Sequence, residues 1–283
     1  MNLLKKLYKD MITAALKAGE EVLKIYEKDF EVFYKEDKTP VTLADKVSNE
    51  IIKNFLKKYN IFFLSEEEKE KSYENRRDLK KLFIIDPLDG TKEFIKKNGE
   101  FTINIAYVKN NFPIFGVVYA PALKKLYFGG ASFGSFVVDC SKGIDIDKIF
   151  QEAKKLNPNF ENNKKLYVCV SRSHLNKETL NFLNNLKEQG FDITYKKVGS
   201  SLKFCILAEG KAHFYPRLSP PTMEWDTAAG QAILEGAGGC VIDLHGNRLS
   251  YNKKELKNSN FYAFCKELKK IILEDKSRDS SSS

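Results

Sequence analysis

The first part of the chain carries apolar residues in two helical patterns. Over residues 1–28 they recur at three- and four-residue steps, which predicts one long amphipathic helix packed on the core. The members of this stripe are Leu3, Leu7, Met11, Ala14, Ala18, Val22 and Ile25. A second stripe within residues 38–59 predicts a helix that begins near Thr42, whose side chain is suited to cap it.

Short apolar runs follow, and their lengths indicate strands. The run 61–68 ends in carboxylates, and the run 80–85 is typical of a buried strand that ends at Asp86-Pro87. Four further runs are separated by Asn, Pro and Gly turns and predict an antiparallel meander over 101–108, 112–120, 124–130 and 135–139.

In the second half, strand-like and helix-like segments alternate. The predicted strands are 165–170, 192–197, 212–217 and 240–243, and the predicted helices lie near 176–189, 199–210 and 225–239. Helices flanking mixed sheets define a layered α/β fold. We expect a single domain over 1–270 with two lobes, about 1–140 and about 164–270. The segment 141–164 would separate the lobes and contain a short helix over 145–156. Residues 277–283 are expected to form a disordered tail.

Composition excludes several classes of protein. The 283 residues are 42% hydrophobic and 30% charged. No stretch approaches the ~18 apolar residues of a membrane span, so we expect no integral membrane segment. The five cysteines and three histidines are scattered, which is typical of reduced thiols in a cytoplasmic protein and not of a disulfide frame or a zinc site. Peripheral association with the inner membrane stays open.

The net charge of +9 raises the question of an anionic partner. The lysines are spread over most of the chain, whereas a nucleic-acid binder favours a clustered basic stripe. A solvated, lysine-rich surface therefore explains the charge best, and attraction of a small anionic substrate is compatible with it. We expect no nucleic-acid partner, and either a monomer or a homodimer.

Acidic residues beside apolar runs are the candidates for metal binding and catalysis. Asp45 and Asp226 each lie at a predicted helix start, and Glu66 opens a charged run, so each taken alone has an ordinary explanation. Asp86 and Asp89 have no such ordinary explanation, because two carboxylates beside a buried strand repel each other unless a cation compensates their charge. Oxygen ligands without nearby His or Cys favour Mg²⁺, and several carboxylates indicate more than one ion.

The residues after this pair fit phosphate chemistry. Gly90 allows the backbone to approach a ligand closely. Thr91 would open a helical turn whose free N–H groups face a phosphate, and its hydroxyl would hold an attacking water. The segment therefore predicts a phosphatase in which metal ions hold the phosphate and water attacks in line.

Longer strings follow one another in the order known for a single family, over about residues 5–265. They are "TPVTLAD", "LSEE", "DPLDGTKEFIKKNGEFTINIAYV", "GVVYAP", "SRSH", "GSSLKFCILAEGKAHFYPR" and "TMEWDTAAGQAILE". The chain resembles the inositol monophosphatase superfamily of lithium-sensitive, Mg²⁺-dependent phosphatases, and within it the 3′(2′),5′-bisphosphate nucleotidases of the CysQ type. The resemblance implies a layered αβαβα sandwich, a setting in sulfur metabolism, and hydrolysis of adenosine 3′,5′-bisphosphate to AMP and phosphate.

The resemblance also implies a set of metal ligands. One magnesium ion would be bound by Glu66, Asp86 and the backbone carbonyl of Leu88. A second would be bound by Asp86, Asp89 and Asp226. The expected cofactor is therefore Mg²⁺, with two ions.

Catalytic and substrate-binding roles are implied in the same way. Thr91, paired with Asp45 and helped by Glu66, would polarise the attacking water, and a third ion near Asp45 and Glu66 is left open. The residues that would contact the substrate are Gly90, Thr91, His174, Gly199, Lys203 and Arg217. Just after Arg217, an extra proline at Pro220-Pro221 departs from the family spacing, which bears on where Arg217 lies.

Two other functions compete with this one. An inositol monophosphatase or fructose-1,6-bisphosphatase would use the same metal site, but the basic residues of "GSSLKF" and "YPR" favour a substrate with a second phosphate. A non-enzymatic nucleic-acid-binding protein would account for the charge of +9 but would leave the carboxylates unexplained.

Overall fold

Two paired helices cover one side of the protein. The computed structural model describes residues 3–34, 40–68, 72–158, 164–171, 176–218 and 220–268. Its helices are α1 (Leu3–Tyr26), α2 (Leu43–Leu56), α3 (Thr91–Ile95), α4 (Ile149–Glu152), α5 (Lys177–Glu188), α6 (Leu202–Ala208) and α7 (Ala228–Gly236). The middle of the predicted apolar stripe of α1 is buried, and α2 packs beside it. Thr42 caps α2 as predicted, because its side chain accepts the N–H of Ala44.

The larger sheet has seven strands. They are β3 (Phe62–Ser65), β4 (Lys81–Asp89), β5 (Thr102–Lys109), β6 (Phe112–Ala120), β7 (Lys125–Gly130), β8 (Gly134–Asp139) and β9 (Lys154–Lys155). The two earlier strands, β1 (Val32–Tyr34) and β2 (Pro40–Thr42), form a small separate antiparallel pair. The order of the seven strands in the sheet is their order in the chain. Only β3 and β4 pair in parallel, and the other neighbours pair antiparallel. The predicted meander is confirmed.

Strand β4 does not end at Asp86-Pro87 as predicted. It continues to Asp89, with Asp86 opposite Asn104 and Asp89 opposite Thr102 on β5, and the register shifts between these two pairs. The shift is a bulge, which accommodates a proline that has no N–H for the ladder. Both aspartates therefore remain on the sheet and are held in register with β5.

The smaller sheet comes from the second half of the chain. Its strands are β10 (Lys165–Val170), β11 (Asp192–Lys197), β12 (Phe214–Arg217), β13 (Cys240–Asp243) and β14 (Phe261–Phe264), and their order is β11-β10-β12-β14-β13. Strand β10 pairs in parallel with β11 and β12, and the remaining pairs are antiparallel. Strand β14 was not predicted.

Three hydrophobic cores separate five layers. The first lies between the α1–α2 pair and one face of the large sheet, and the third lies between the small sheet and α5. The middle core joins the two sheets through α6 and α7. Helix α7 approaches β6 so closely that a Cβ added to Gly116 would lie 2.3 Å from the carbonyl oxygen of Ala229. The fold is the expected αβαβα sandwich.

The two sheets follow the predicted lobes only in part. The large sheet extends past residue 140 through β9, and α4 lies within the segment expected to separate the lobes. Since the middle core takes residues from both sheets, the division into lobes stays a prediction. Residues 277–283 lie outside the described residues. Among the helices that the structure describes, none has the length and apolar content to cross a membrane.

Candidate metal centre and active site

Three aspartates from distant parts of the chain converge at the end of the large sheet. Asp86 and Asp89 lie on the bulged end of β4. Asp226 closes a 3₁₀ turn, Glu224–Asp226, that leads into α7. One carboxylate oxygen from each aspartate lies within 4.8 Å of the other two. The fold therefore brings together three of the residues that the sequence nominated as metal ligands.

Two of these carboxylates are each fixed by a backbone donor of their own turn. Asp86 Oδ1 accepts the N–H of Leu88 at 3.1 Å, and Asp226 Oδ2 accepts the N–H of Met223 at 2.8 Å. Because a backbone donor cannot rotate away, one oxygen of each carboxylate is held by its own turn. The second oxygen of each can then serve a ligand without losing this support.

Burial changes the protonation of the cluster. It raises the pKa of Asp86 and of Asp226 well above the ordinary value, and the neighbouring carboxylates add to this effect. It also raises the pKa of Asp89 to about 6, although the charge of Lys203 and the N–H of Ser201 oppose the rise. Ionised carboxylates are costly here without a compensating charge, and the donors are all oxygen atoms. The site thus fits a hard divalent cation.

Glu66 and the carbonyl of Leu88 lie at the edge of this cluster. Glu66 follows β3, and its N–H donates to the carbonyl of Ile85 at 3.2 Å. Its charge contributes to the raised pKa of Asp86. Leu88 is buried, and its carbonyl oxygen lies 3.3 Å from the hydroxyl oxygen of Thr91. Both groups lie beside the aspartates, and their roles as ligands stay predictions.

Thr91 also contacts Asp45, the aspartate beneath it. The Thr91 hydroxyl lies 3.3 Å from Asp45 Oδ1. The other oxygen, Oδ2, accepts both the N–H and the hydroxyl of Thr42, each at 2.7 Å. Burial raises the pKa of Asp45 to about 6. Asp45 therefore caps α2 with one oxygen and faces Thr91 with the other. Its role at the start of the helix is compatible with its predicted role as the partner of Thr91.

Gly90 makes the turn from β4 into α3. Its φ of 92° lies in the left-handed region that glycine adopts without strain. A Cβ at this position would lie 3.1 Å from the carbonyl oxygen of Glu100. Thr91 then begins α3, which agrees with the helical turn predicted after Gly90.

A cavity of about 320 Å³ opens over the carboxylates. The predicted site residues that line it are Glu66, Asp86, Leu88, Asp89, Gly90, Thr91, Gly199, Lys203, Arg217 and Asp226. Asp45 is not in the lining, because it lies behind Thr91. His174 lies outside the described residues.

Lys203 is the buried cation of this cavity. Its ammonium donates to the carbonyls of Ser200 at 2.6 Å and Val198 at 3.3 Å, and it lies 5.4 Å from the ring centroid of Tyr215. Burial lowers its pKa, whereas the charge of Asp89 raises it. Two of its three N–H donors contact carbonyls, so the third can serve an anion.

A buried network that the sequence did not reveal anchors the turn of Asp226. The carboxylate of Glu224 is fully buried, and it accepts the N–H of Asn252 at 2.7 Å and the N–H of Lys253 at 3.0 Å. It also accepts the ammonium of Lys253 at 2.7 Å. These partners are distant in sequence, so no local spacing indicated a role for Glu224.

The metal-free protein should lose stability as pH rises through the range in which the cluster ionises. The pKa of Asp89 is about 6 in the folded protein, against 3.8 for a free aspartate. The folded state therefore binds its proton more tightly than the unfolded state does. This stabilising contribution is complete below about pH 4 and is lost as pH rises through about 6. Urea unfolding in EDTA between these values measures it.

The Asp89→Asn variant is the matched control for this pH dependence. It removes one titrating carboxylate from the cluster, so its free energy of unfolding should fall less steeply with pH than that of the wild type. Equal slopes in the two proteins would contradict the raised pKa. Added Mg²⁺ should flatten the wild-type profile, because a bound cation stabilises the ionised form.

The αβαβα sandwich and its buried carboxylate cluster define the class to which this chain belongs. Residues 3–278 match the sequence model of the inositol monophosphatase family, and the chain is a member of that family. Dependence on metal ions is typical of the family. The resemblance noted from the motifs is confirmed.

Particular relatives match over most of the chain. The 3′(2′),5′-bisphosphate nucleotidase CysQ of Salmonella typhimurium is 40% identical over 85% of this chain and 92% of its own length. CysQ of Buchnera aphidicola is 39% identical over 93% and 95%. The crystal structure of CysQ from Bacteroides thetaiotaomicron is 42% identical and aligns with a TM-score of 0.81 over 91% of this chain and 96% of that one. An inositol monophosphatase from Thermotoga maritima, 22% identical with a TM-score of 0.71 over 93% of each chain, shares the fold.

Proposed function

We propose that this chain is a Mg²⁺-dependent 3′(2′),5′-bisphosphate nucleotidase that hydrolyses adenosine 3′,5′-bisphosphate to AMP and phosphate. The observation that carries the proposal is one cavity whose lining combines a carboxylate cluster with basic residues, among them Lys203 and Arg217. A substrate with one phosphate to cleave and another to anchor matches these two parts. The curated relatives at 39–40% identity carry the name of this activity.

The carboxylates would hold the cations. Glu66, Asp86 and the carbonyl of Leu88 would take one Mg²⁺, and Asp86, Asp89 and Asp226 would take a second. When bound, the ions supply charge neutralisation for the phosphate and a lowered pKa for water. Binding of a third ion near Asp45 and Glu66 is left open.

Thr91 and Asp45 would orient the attacking water. The Thr91 hydroxyl donates toward Asp45 Oδ1, so its lone pairs are free to accept a hydrogen bond from the water and aim it at phosphorus. Asp45, with a pKa of about 6, is ionised at neutral pH and keeps the threonine proton pointing away from the water. Glu66, at the other side of the cavity, would help to accept the water proton.

The far part of the cavity would bind the remaining phosphate and the nucleoside. Lys203 has a donor available for the 5′-phosphate, and Arg217 offers a fork that matches phosphate oxygens. Gly199 lets the backbone of the cavity wall pack closely on Glu93, since a Cβ there would lie 2.9 Å from Glu93 Cγ. The contact of His174 with the nucleotide, which the family resemblance implies, stays a prediction.

Metal removal and product analysis test this function. Protein treated with EDTA should release no phosphate from adenosine 3′,5′-bisphosphate, and Mg²⁺ should restore phosphate release with AMP as the nucleotide product. Phosphate release that persists without a divalent cation, or a product other than AMP, would contradict the proposal. Inhibition by Li⁺, cytoplasmic location and the choice between monomer and homodimer stay predictions.

A further inference from the structure

Asp89 receives two hydrogen bonds on the same carboxylate oxygen. The N–H of Ser201 donates to Oδ2 at 2.5 Å, and the side-chain amide of Asn104 donates to it at 3.3 Å. Asn104 lies on β5, and Ser201 precedes α6. The carboxylate is therefore held between the large sheet and a segment from the second half of the chain.

The orientation of the Asn104 amide is set by a further hydroxyl. Ser201 Oγ donates to Asn104 Oδ1 at 2.8 Å. Ser201 Oγ also lies 2.8 Å from Thr102 Oγ1. A hydroxyl has one proton, so if Ser201 gives it to Asn104, Thr102 must donate to Ser201. The chain of donors runs in one direction, from Thr102 through Ser201 and Asn104 to Asp89.

Solvent cannot replace these contacts. Thr102 is 0%, Asn104 1% and Ser201 2% exposed. In such surroundings each hydrogen bond is stronger than at the surface, and an unpaired group is costly. The amide of Asn104 is thus held with its NH₂ toward Asp89, which keeps Oδ2 engaged and turns Oδ1 to any cation.

We propose that Thr102, Ser201 and Asn104 are positioning residues that fix Asp89 for metal binding, an inference that rests on the proposed function of the carboxylate cluster. Ser201 lies in the segment that carries Lys203 into the cavity. The same segment therefore orients a metal ligand through Ser201 and places Lys203 in the wall that would hold the second phosphate.

Direct Mg²⁺ binding to the metal-free protein, measured by titration calorimetry, tests the proposal. Asn104→Leu removes the amide donor at similar volume, and Mg²⁺ affinity should fall about 10-fold, at the low end of the effect typical of losing an outer partner of a ligand. Ser201→Ala keeps the backbone N–H but frees the amide to turn, so its loss should be smaller, about 3-fold.

Ser135→Ala is the matched control. Ser135 is also a fully buried serine, and its hydroxyl donates to the carbonyl of Ile233 at 2.7 Å, away from the carboxylate cluster. Urea unfolding in EDTA should show that Ser135→Ala and Ser201→Ala lose similar stability, whereas only Ser201→Ala loses Mg²⁺ affinity.

The outcomes separate this inference from the function on which it rests. Wild-type Mg²⁺ affinity in Ser201→Ala, or an equal loss in Ser135→Ala, would overturn the positioning role while leaving the nucleotidase proposal in place. A wild-type protein that binds no Mg²⁺ would overturn both. If Asn104→Leu does not fold, the pair of serine variants still decides the matter.

Discussion

Replacing Asp89 with asparagine should reduce turnover of adenosine 3′,5′-bisphosphate by at least ~10³-fold, the scale expected when a main electrostatic contributor to a reaction is lost. Two N–H groups, from Ser201 and Asn104, already point at Oδ2. The new side chain would therefore keep its oxygen there and turn its NH₂ toward Asp86 and Asp226. That group repels a cation, so Mg²⁺ binding should be lost together with activity.

The same substitution should stabilise the metal-free protein, since it removes one charge from a buried, mutually repelling cluster. Steady-state kinetics with increasing Mg²⁺ and urea unfolding in EDTA measure the two effects. Asp243→Asn is the control, because Asp243 ends β13 outside the cavity lining and accepts the N–H groups of His245 and Asn247 in the turn that follows. Wild-type turnover of Asp89→Asn at saturating Mg²⁺ would show that the site is assigned wrongly.

Replacing Thr91 with alanine should lower kcat by about 10²-fold while leaving Mg²⁺ affinity within about 2-fold, because positioning and proton transfer typically contribute on this scale. The hydroxyl contacts Asp45 and the carbonyl of Leu88, both at 3.3 Å. Its loss removes the group proposed to orient the water and leaves the carboxylates in place.

Thr91→Ser separates the hydroxyl from the rest of the side chain. It keeps the oxygen and should retain most of the activity. Kinetics at saturating substrate, with a parallel calorimetric Mg²⁺ titration, make the measurement. An alanine variant with an unchanged kcat, or a serine variant as slow as alanine, would rule out the water-holding role.

Local patterns were enough to predict much of the fold. The strands predicted over 165–170 and 192–197 agree residue for residue with β10 and β11. The apolar stripe of residues 1–28 became α1, whose buried face packs on the large sheet. In each case a single period, 2 or 3.6 residues, dominates the segment, so that a local pattern determines the element.

The missed features depend on pairing across the chain. Pro87 was interpreted as the end of a strand, but a bulge against β5 carries β4 on to Asp89. Strand β14 is short and was not predicted; it is defined by pairing with both β12 and β13. Where a distant partner supplies the hydrogen bonds, the local sequence carries little of the signal.

The residues of the candidate site also fall into those that local sequence predicts and those that depend on distant partners. Asp86 and Asp89 could be singled out from sequence because their repulsion is local. Asn104, Ser201 and Glu224 could not, since their meaning depends on partners that the fold brings from elsewhere. A physical interpretation of the sequence thus predicted the candidate ligands and missed the residues that hydrogen-bond to them.

The ratio of kcat/KM for adenosine 3′,5′-bisphosphate to kcat/KM for inositol 1-phosphate, at saturating Mg²⁺, tests the central claim most directly. A cavity that holds a second phosphate with Lys203 and Arg217 predicts a ratio of at least ~10, since a site built for a polar group rejects the analogue that lacks it. A ratio of one or below would contradict the account and assign the chain to the inositol phosphatases of its family.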